Sequence, residues 1–394
     1  MNRLTRRNIV KLCIALPLSP RIATAGSWFR NEKPTATEGS FDWSKGVVAN
    51  AMRRQPDPAK LGRWGYAIAL YLYGQYLVYL RTSDKRYVEY IQGWVDSNVD
   101  ANGVINNKLN ALDDMLAGNL LLILYKETGQ QKYKTAAESI RKRLDTFPRT
   151  EDGGLWHATS REHQLWLDGM YMSMPFLIRY GAALNDQQYA GDEAVKQLLI
   201  YARHLNDPAS GLLFHAYDES GKQVWADPAT HHSPIKWCRA IGWYGMALIE
   251  VLELLPHNHP QRSELIKLVK QLASGYERYQ DPSSGLWYQV VDQASVPGNW
   301  LETSSSCMYT YTLSRAMERG YISKRYAKVA AKGYSGVLSQ LSHDDSGLAH
   351  IANICEGTNV GDLAFYLARP RSTDDFHGIG AFLIMNEQLR KVGS

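Results

Sequence analysis

An aspartate inside an otherwise apolar run needs a reason, and Asp168 lies within Gln164-Leu-Trp166-Leu-Asp168-Gly-Met-Tyr-Met172. Two readings are open: a helix N-cap, which aspartate favours because its oxygen satisfies a free backbone N–H, or a carboxyl group facing a pocket. Asp113, in Asn110-Ala-Leu-Asp113-Asp114, carries the same ambiguity. If both face one pocket, mutual repulsion and desolvation by aromatic walls raise one of the two pKa values and give a carboxylic acid that can donate a proton near neutrality. The positive end of a helix beginning there opposes that shift. Arg239 stands between Trp237 and Trp243, a setting that suits a bound carboxylate, cation–π stacking or a structural ion pair. His215, in Phe214-His215-Ala-Tyr217-Asp218, follows a turn and reads as a structural hydrogen-bonding histidine or as a pocket residue. Together these residues have the chemistry of a sugar pocket, where aromatic faces pack on apolar sugar faces and charged groups bind hydroxyls. With 11 Trp and 24 Tyr the chain has the material, although much of it must also be core. His231-His232 and His343-Asp344-Asp345 hint at a metal, but no H-E-x-x-H or cysteine pair accompanies them, so no metal is expected. No P-loop, dinucleotide fingerprint or nucleophile elbow is present, and no cofactor is expected.

The elements that must position these residues are visible in a recurrent turn phrase of an acid, small residues, Gly and an apolar residue. It occurs at Asp100–Gly103, Asp152–Gly154, Asp207–Gly211, Asp281–Gly285 and Asp344–Gly347, with glycines 51, 57, 74 and 62 residues apart. Gly supplies the positive φ of a tight turn, and the apolar residues after it suit a short strand. A long helical pattern follows each copy, starting with a polar residue among aromatics: at Leu112-Asp113, Trp166-Leu-Asp168, Trp237-Cys-Arg239, Trp300-Leu-Glu302 and Asp374-Asp-Phe-His377. A sixth pattern, without the turn, begins at Arg63-Trp64-Gly65-Tyr66. Amphipathic helices are predicted between them, such as 132–144, 193–205, 262–279 and 323–338, and suit an outer layer. Six apolar inner helices paired with six outer ones make an all-α toroid, an (α/α)6 barrel, with an open helical solenoid as the alternative. Clustering of aromatic and ionisable residues at one end of the inner helices favours closure, because a ring brings them together.

The chain has 394 residues, 45% of them hydrophobic and 21% charged, enough to bury a large core. Its net charge of +5 is an end effect. Residues 1–25 contain Arg3, Arg6, Arg7, Lys11 and Arg21 and no acid, leaving 39 basic against 39 acidic residues beyond them. That neutrality argues against nucleic-acid binding by a broad basic surface. The same segment has a modest apolar stretch, Pro17 and Pro20, and Ala23-Thr24-Ala25 as a small-residue cleavage site. Thr5-Arg6-Arg7-Asn8-Ile9-Val10-Lys11 resembles a twin-arginine signal, an ordinary basic arm or short anchor being the other reading. The expectation is export to the periplasm or beyond, with 26–394 as one catalytic domain and no membrane association after signal removal. Cys238, Cys307 and Cys355 would remain, an odd and sparse set that is no disulfide scaffold but leaves one bridge open.

Several phrases closely resemble glycoside hydrolase family 105, the unsaturated rhamnogalacturonyl hydrolases and their relatives. They are Gln164-Leu-Trp-Leu-Asp168-Gly-Met-Tyr-Met, Gly211-Leu-Leu-Phe-His215-Ala-Tyr-Asp, Trp225-Ala-Asp-Pro-Ala-Thr, Trp237-Cys-Arg239-Ala-Ile-Gly-Trp243, Glu302-Thr-Ser-Ser-Ser and Asp374-Asp-Phe-His-Gly-Ile-Gly, and the match runs in order from about residue 40 to 390. The resemblance implies a six-hairpin α/α barrel that removes the 4,5-unsaturated uronic acid left by a polysaccharide lyase at a non-reducing end. It does so by hydrating a vinyl ether. By resemblance Asp168 is the acid/base, Asp113 the second active-site aspartate, and His215, Trp237, Arg239 and Trp243 pocket residues; His157 and Trp64 complete the candidate substrate-binding set. Two departures stand out. Relatives often carry Lys after the histidine of the segment that here reads Trp156-His157-Ala158, and Cys238 stands where a small Gly is common, which would narrow the pocket.

Unsaturated galacturonyl-rhamnose from pectin is the leading substrate, with unsaturated glucuronyl units from another polysaccharide as the alternative. A non-catalytic sugar-binding toroid is a different class of reading, against which the joint presence of Asp113, Asp168, His215 and Arg239 speaks. An inverting glycosidase on a similar barrel would instead act on saturated glycosides. The expected partner is an oligosaccharide, with no obligate protein partner.

Overall fold

The computed structural model describes residues 41–392, so the export-signal reading of residues 1–25 lies outside them. Among the described residues thirteen α-helices carry the fold: α1 (Trp43–Arg54), α2 (Tyr66–Thr82), α3 (Lys85–Asn98), α4 (Gly118–Thr128), α5 (Gln131–Asp145), α6 (Asp168–Ala183), α7 (Gln187–Leu205), α8 (Cys238–Leu254), α9 (Arg262–Tyr279), α10 (Thr303–Glu318), α11 (Ala327–Leu338), α12 (Leu363–Leu367) and α13 (Phe376–Val392). Helices α2, α4, α6, α8, α10 and α13 each pack on the next, and α13 returns to α2, so the ring is closed. This is the (α/α)6 barrel, and it rules out the open solenoid.

Composition sorts the layers. Residues 238–252 of α8 are all buried, as an inner helix surrounded by protein requires. The outer helices α3, α5, α7, α9 and α11 bury one stripe each and back the inner helix that precedes them. The sixth outer helix comes from the other end of the chain, where α1 packs against α13 and α2. Three polar ties fasten this seam: Ser44 to Asn386 (2.7 Å), Asn50 to Asp374 (2.9 Å), and Arg81 of α2 to both Asp42 (2.9 Å) and Glu387 (2.8 Å).

The recurrent turns close short hairpins, with Val99 facing Ile105, Arg149 facing Leu155, Asn206 facing Leu213 and Leu341 facing Ile351. Gly103, Gly211, Gly285 and Gly347 take positive φ as expected. In the second copy it is Gly153 (φ 92°) and not Gly154 that does so, because the two adjacent glycines let the turn sit one residue earlier. Among the described residues no helix is long and apolar enough to cross a membrane.

The middle of the barrel is polar. Arg179 of α6 donates to Glu250 of α8, to Asn119 of α4 (2.7 Å) and to the hydroxyl of Tyr73 of α2 (2.9 Å), while Tyr311 of α10 donates to Glu250 (2.9 Å). Five inner helices thus converge on one buried ion pair. Arg179→Ala would strand Glu250 as a buried, unpaired carboxylate and should lower the unfolding free energy by about 3–5 kcal/mol, read by urea unfolding. Joint replacement, Arg179→Met with Glu250→Leu, should recover most of that loss. A single variant as stable as the parent would contradict this account.

Candidate active site

The N-terminal ends of the inner helices surround a cavity of about 290 Å³. Asp113, Asp168, Trp237, Arg239 and His157 all line it, so the ring gathers residues spread over more than a hundred positions.

Asp168 is the first residue of α6 and reaches it from the strand Gln164–Trp166, which pairs antiparallel with Ala216–Asp218. That pairing, continued by the Leu167 N–H to His215 carbonyl bond (3.0 Å), brings His215 beside Asp168. Nε2 of His215 lies 3.1 Å from Oδ2 of Asp168, and its Nδ1 lies 2.6 Å from the hydroxyl of Tyr366. Asp168 makes no capping bond; Leu167 occupies the cap position. Burial pushes its pKa up, but the bond from His215 first, with the charge of Arg239, outweighs this and holds the carboxyl below its usual range.

Asp113 sits on a single turn, Leu112–Asp114, ahead of α4. Asp114 does the local work there, accepting from Ala111 N (3.1 Å) and Asn107 Nδ2 (3.2 Å). Asp113 is released to the cavity, 3.9 Å from Nε2 of His157. Burial first, then the charges of Asp168 and Asp114, push its pKa up to about 8. One acid of the pair is therefore protonated and the other ionised at neutral pH, the separation that two carboxyls in one pocket require.

His157 is buried, stacked on Trp166 with centroids 4.5 Å apart, and burial lowers its pKa to about 4, so it is a neutral imidazole. Its backbone carbonyl accepts from Leu112 N (2.9 Å), tying the Asp113 turn to this hairpin. Arg239 lies over Trp237 (4.5 Å) and donates to the carbonyls of Cys355 (2.5 Å) and Glu356 (2.7 Å). It stands 4.0 Å from Glu302, whose carboxylate caps α10 through Ser304 N and Ser305 N and also accepts from Cys355 N (2.9 Å). Arg239 thus contributes charge to the cavity while its terminal nitrogens hold the 355–356 backbone.

Three expected pocket residues lie behind the wall. Trp243 stacks on Tyr171 (5.1 Å) and meets Tyr66 edge-on (6.3 Å), and Trp64 stacks on Trp94 (5.4 Å) and donates to Asp114 O (2.8 Å). Both are buried and support the lining instead of forming it. His215 is fully buried and touches the cavity only through Asp168. Cys238 does not narrow the pocket, because its thiol points to Gln289 and Glu302. All three described cysteines are buried and unbridged. His232 stacks on Phe214, and Asp344 caps its own turn through Ser346 N and Leu348 N.

Other lining residues escaped the sequence reading: Tyr66, Arg161, Trp166, Met172 and the segment 357–359. Tyr66 and Trp166 were within reach, since each flanks a helix start. Arg161 and 357–359 lie in irregular loops without periodicity, and Tyr366 is 151 residues from its partner His215.

Asp113→Asn tests the charge pattern. A carboxyl raised from 3.8 to about 8 binds its proton more tightly in the folded state, so it costs stability as pH rises through that window. The stability gap between variant and parent should widen from about pH 4 to 8 and then level off, measured by denaturant unfolding at each pH. A gap independent of pH would contradict the assignment.

The family model Glycosyl Hydrolase Family 88 matches residues 43–392. The Bacillus subtilis protein named unsaturated rhamnogalacturonyl hydrolase YesR is 28% identical over 303 residues, covering 75% of this chain and 80% of its own. A Clostridium acetobutylicum glycoside hydrolase from family 105 superposes with a TM-score of 0.85 at 33% identity, over 89% of this chain and 99% of that one. A Klebsiella pneumoniae protein described as a possible family 105 member gives 0.76 at 26% identity, over 91% and 96%. With the closed ring, the paired acids in its cavity and these matches in agreement, the chain belongs to the family described as Glycosyl Hydrolase Family 88 and is a glycoside hydrolase of family 105.

Proposed function

We propose that the protein removes a 4,5-unsaturated uronic acid from the non-reducing end of lyase-generated oligosaccharides, with unsaturated galacturonyl-rhamnose as substrate. The observation that carries this is the pair of carboxyls in one cavity beside a buried guanidinium, with Asp168 held by His215 and Asp113 left without such a bond. The name of the Bacillus relative supports the choice of sugar.

Hydration of a vinyl ether needs a proton at C4 and water at C5. The free protein holds Asp168 ionised, and the substrate's own carboxylate, by adding negative charge beside it and displacing water, favours uptake of a proton from solvent before the chemical step. Asp168 then protonates C4, and positive charge spreads over C5 and the ring oxygen. As carboxylate, Asp168 takes a proton from the water that adds at C5 and so returns to its acid form. The hemiketal opens and releases the glycan. The anomeric carbon is not attacked, so the carboxylate spacing of ordinary glycosidases does not apply. His215, held by Tyr366, orients Asp168. The charge of Arg239 and the positive ends of α6 and α8 favour the uronate carboxylate. Residues 1–25 support delivery to the periplasm or beyond by twin-arginine export.

Purified protein with lyase-digested rhamnogalacturonan should bleach the ultraviolet absorbance of the conjugated double bond. Asp168→Asn keeps the shape and loses the transferable proton, so kcat should fall by about 10²–10⁴-fold with the unfolding midpoint little changed. Activity near that of the parent would sink the assignment.

A further inference from the structure

Three arginines address the segment 355–359, of which 357–359 line the cavity. Arg239 is consumed by the carbonyls of Cys355 and Glu356. Arg369 is consumed by the carbonyl of Gly357 and the hydroxyl of Thr358 (3.2 Å). Together they fix the strap from beneath. Arg161 approaches from another loop that lines the cavity and differs from both. Its guanidinium lies over Trp166, 5.2 Å from the ring centroid, and its one side-chain hydrogen bond among the described residues is a long one to Asn359 (3.4 Å), 198 positions away. No carboxylate pairs with it among the described residues, although it is half-buried and lines the cavity. Gly357 and Asn359 are exposed, which places the Asn359 side of this clasp at the solvent-facing mouth of the cavity. A half-buried guanidinium without an anion, held by an aromatic face and an amide, is preorganised for a planar or tetrahedral oxyanion.

We infer that Arg161, with Asn359, is the specificity-determining contact for the leaving portion of the glycan and selects a leaving portion that carries an anionic group. This rests on the proposed function, because it takes the unsaturated sugar to occupy the floor beside Asp168 and the rest of the chain to exit past the mouth. In a rhamnogalacturonan fragment the anion is the uronate one sugar beyond rhamnose; a sulfate ester on the leaving sugar presents the same chemistry. Ala158, His157 and Arg161 all line the cavity, and the small side chain of Ala158 adds no charge or hydrogen-bonding group beside Arg161. The strap needs no ordering on binding, since its backbone is already held by Arg239 and Arg369, so selectivity resides in the charge at the mouth.

The test compares kcat/KM for three substrates with one unsaturated end: a disaccharide with a neutral leaving sugar, the same disaccharide sulfated on that sugar, and a tetrasaccharide with a uronate beyond it. The parent should favour one or both anionic substrates over the neutral one, by about tenfold or more, and added salt should erode the preference. Arg161→Ala should abolish that ratio and Arg161→Lys should restore part of it, with near-parental unfolding midpoints. Preference for the sulfated disaccharide alone, or for the tetrasaccharide alone, identifies which anion the site serves. Equal efficiency on all three substrates, or a preference that survives in Arg161→Ala, overturns the inference while leaving the proposed function intact. Failure to bleach any of them overturns the proposed function itself, and this inference with it.

Discussion

A charge buried in the middle of a helical ring has to be paired, and the pairing of Arg179 with Glu250 sets how the inner helices are rotated. Arg179 sits 11 residues after Asp168 on α6, about 16 Å along the axis, and Glu250 sits 12 residues after Cys238 on α8. Any rotation of either helix that turned Asp168 or Arg239 out of the cavity would also pull the ion pair apart and strand a charge in a low-dielectric interior. Tyr73, Asn119 and Tyr311 extend the same restraint to α2, α4 and α10. The polar centre therefore keeps the helix starts in register with one another, and the seam between α1 and α13 completes the circle.

Above that centre, the site works by keeping two similar groups different. Asp168 is held ionised by a histidine whose other nitrogen is fixed by Tyr366, while Asp113 has only a distant neutral imidazole and the repulsion of its neighbours. Both are partly buried carboxyls at helix starts, so the difference comes from hydrogen bonding and not from depth alone. It depends on the strand pairing of 164–166 with 216–218, which sets His215 against Asp168. A two-strand ribbon thus decides which carboxyl carries the proton.

Much of this is legible in the amino-acid sequence. The repeated turn phrase and the polar starts of six apolar helices led to the ring, and the ring in turn implied that Asp113, Asp168 and Arg239 share one space. What sequence could not weigh was rotation and depth. Trp64 and Trp243 stand at helix starts like Trp237, yet only Trp237 turns inward, because the others are taken up by stacking on Trp94 and Tyr171. Asp113 and Asp114 are adjacent and alike, and the capping bonds of Asp114 alone decide which of them is free. Arg161 and Asn359 were invisible, since loops carry no periodicity and their contact joins distant parts of the chain.

The central claim is that the bond is cleaved by hydrating the double bond and not by attack at the anomeric carbon. The most direct measurement follows the ultraviolet absorbance of the unsaturated uronyl group and the released glycan together in one reaction. The account predicts that one double bond is lost for every glycan freed. Release of the glycan with the absorbance intact would mean anomeric cleavage and would contradict it.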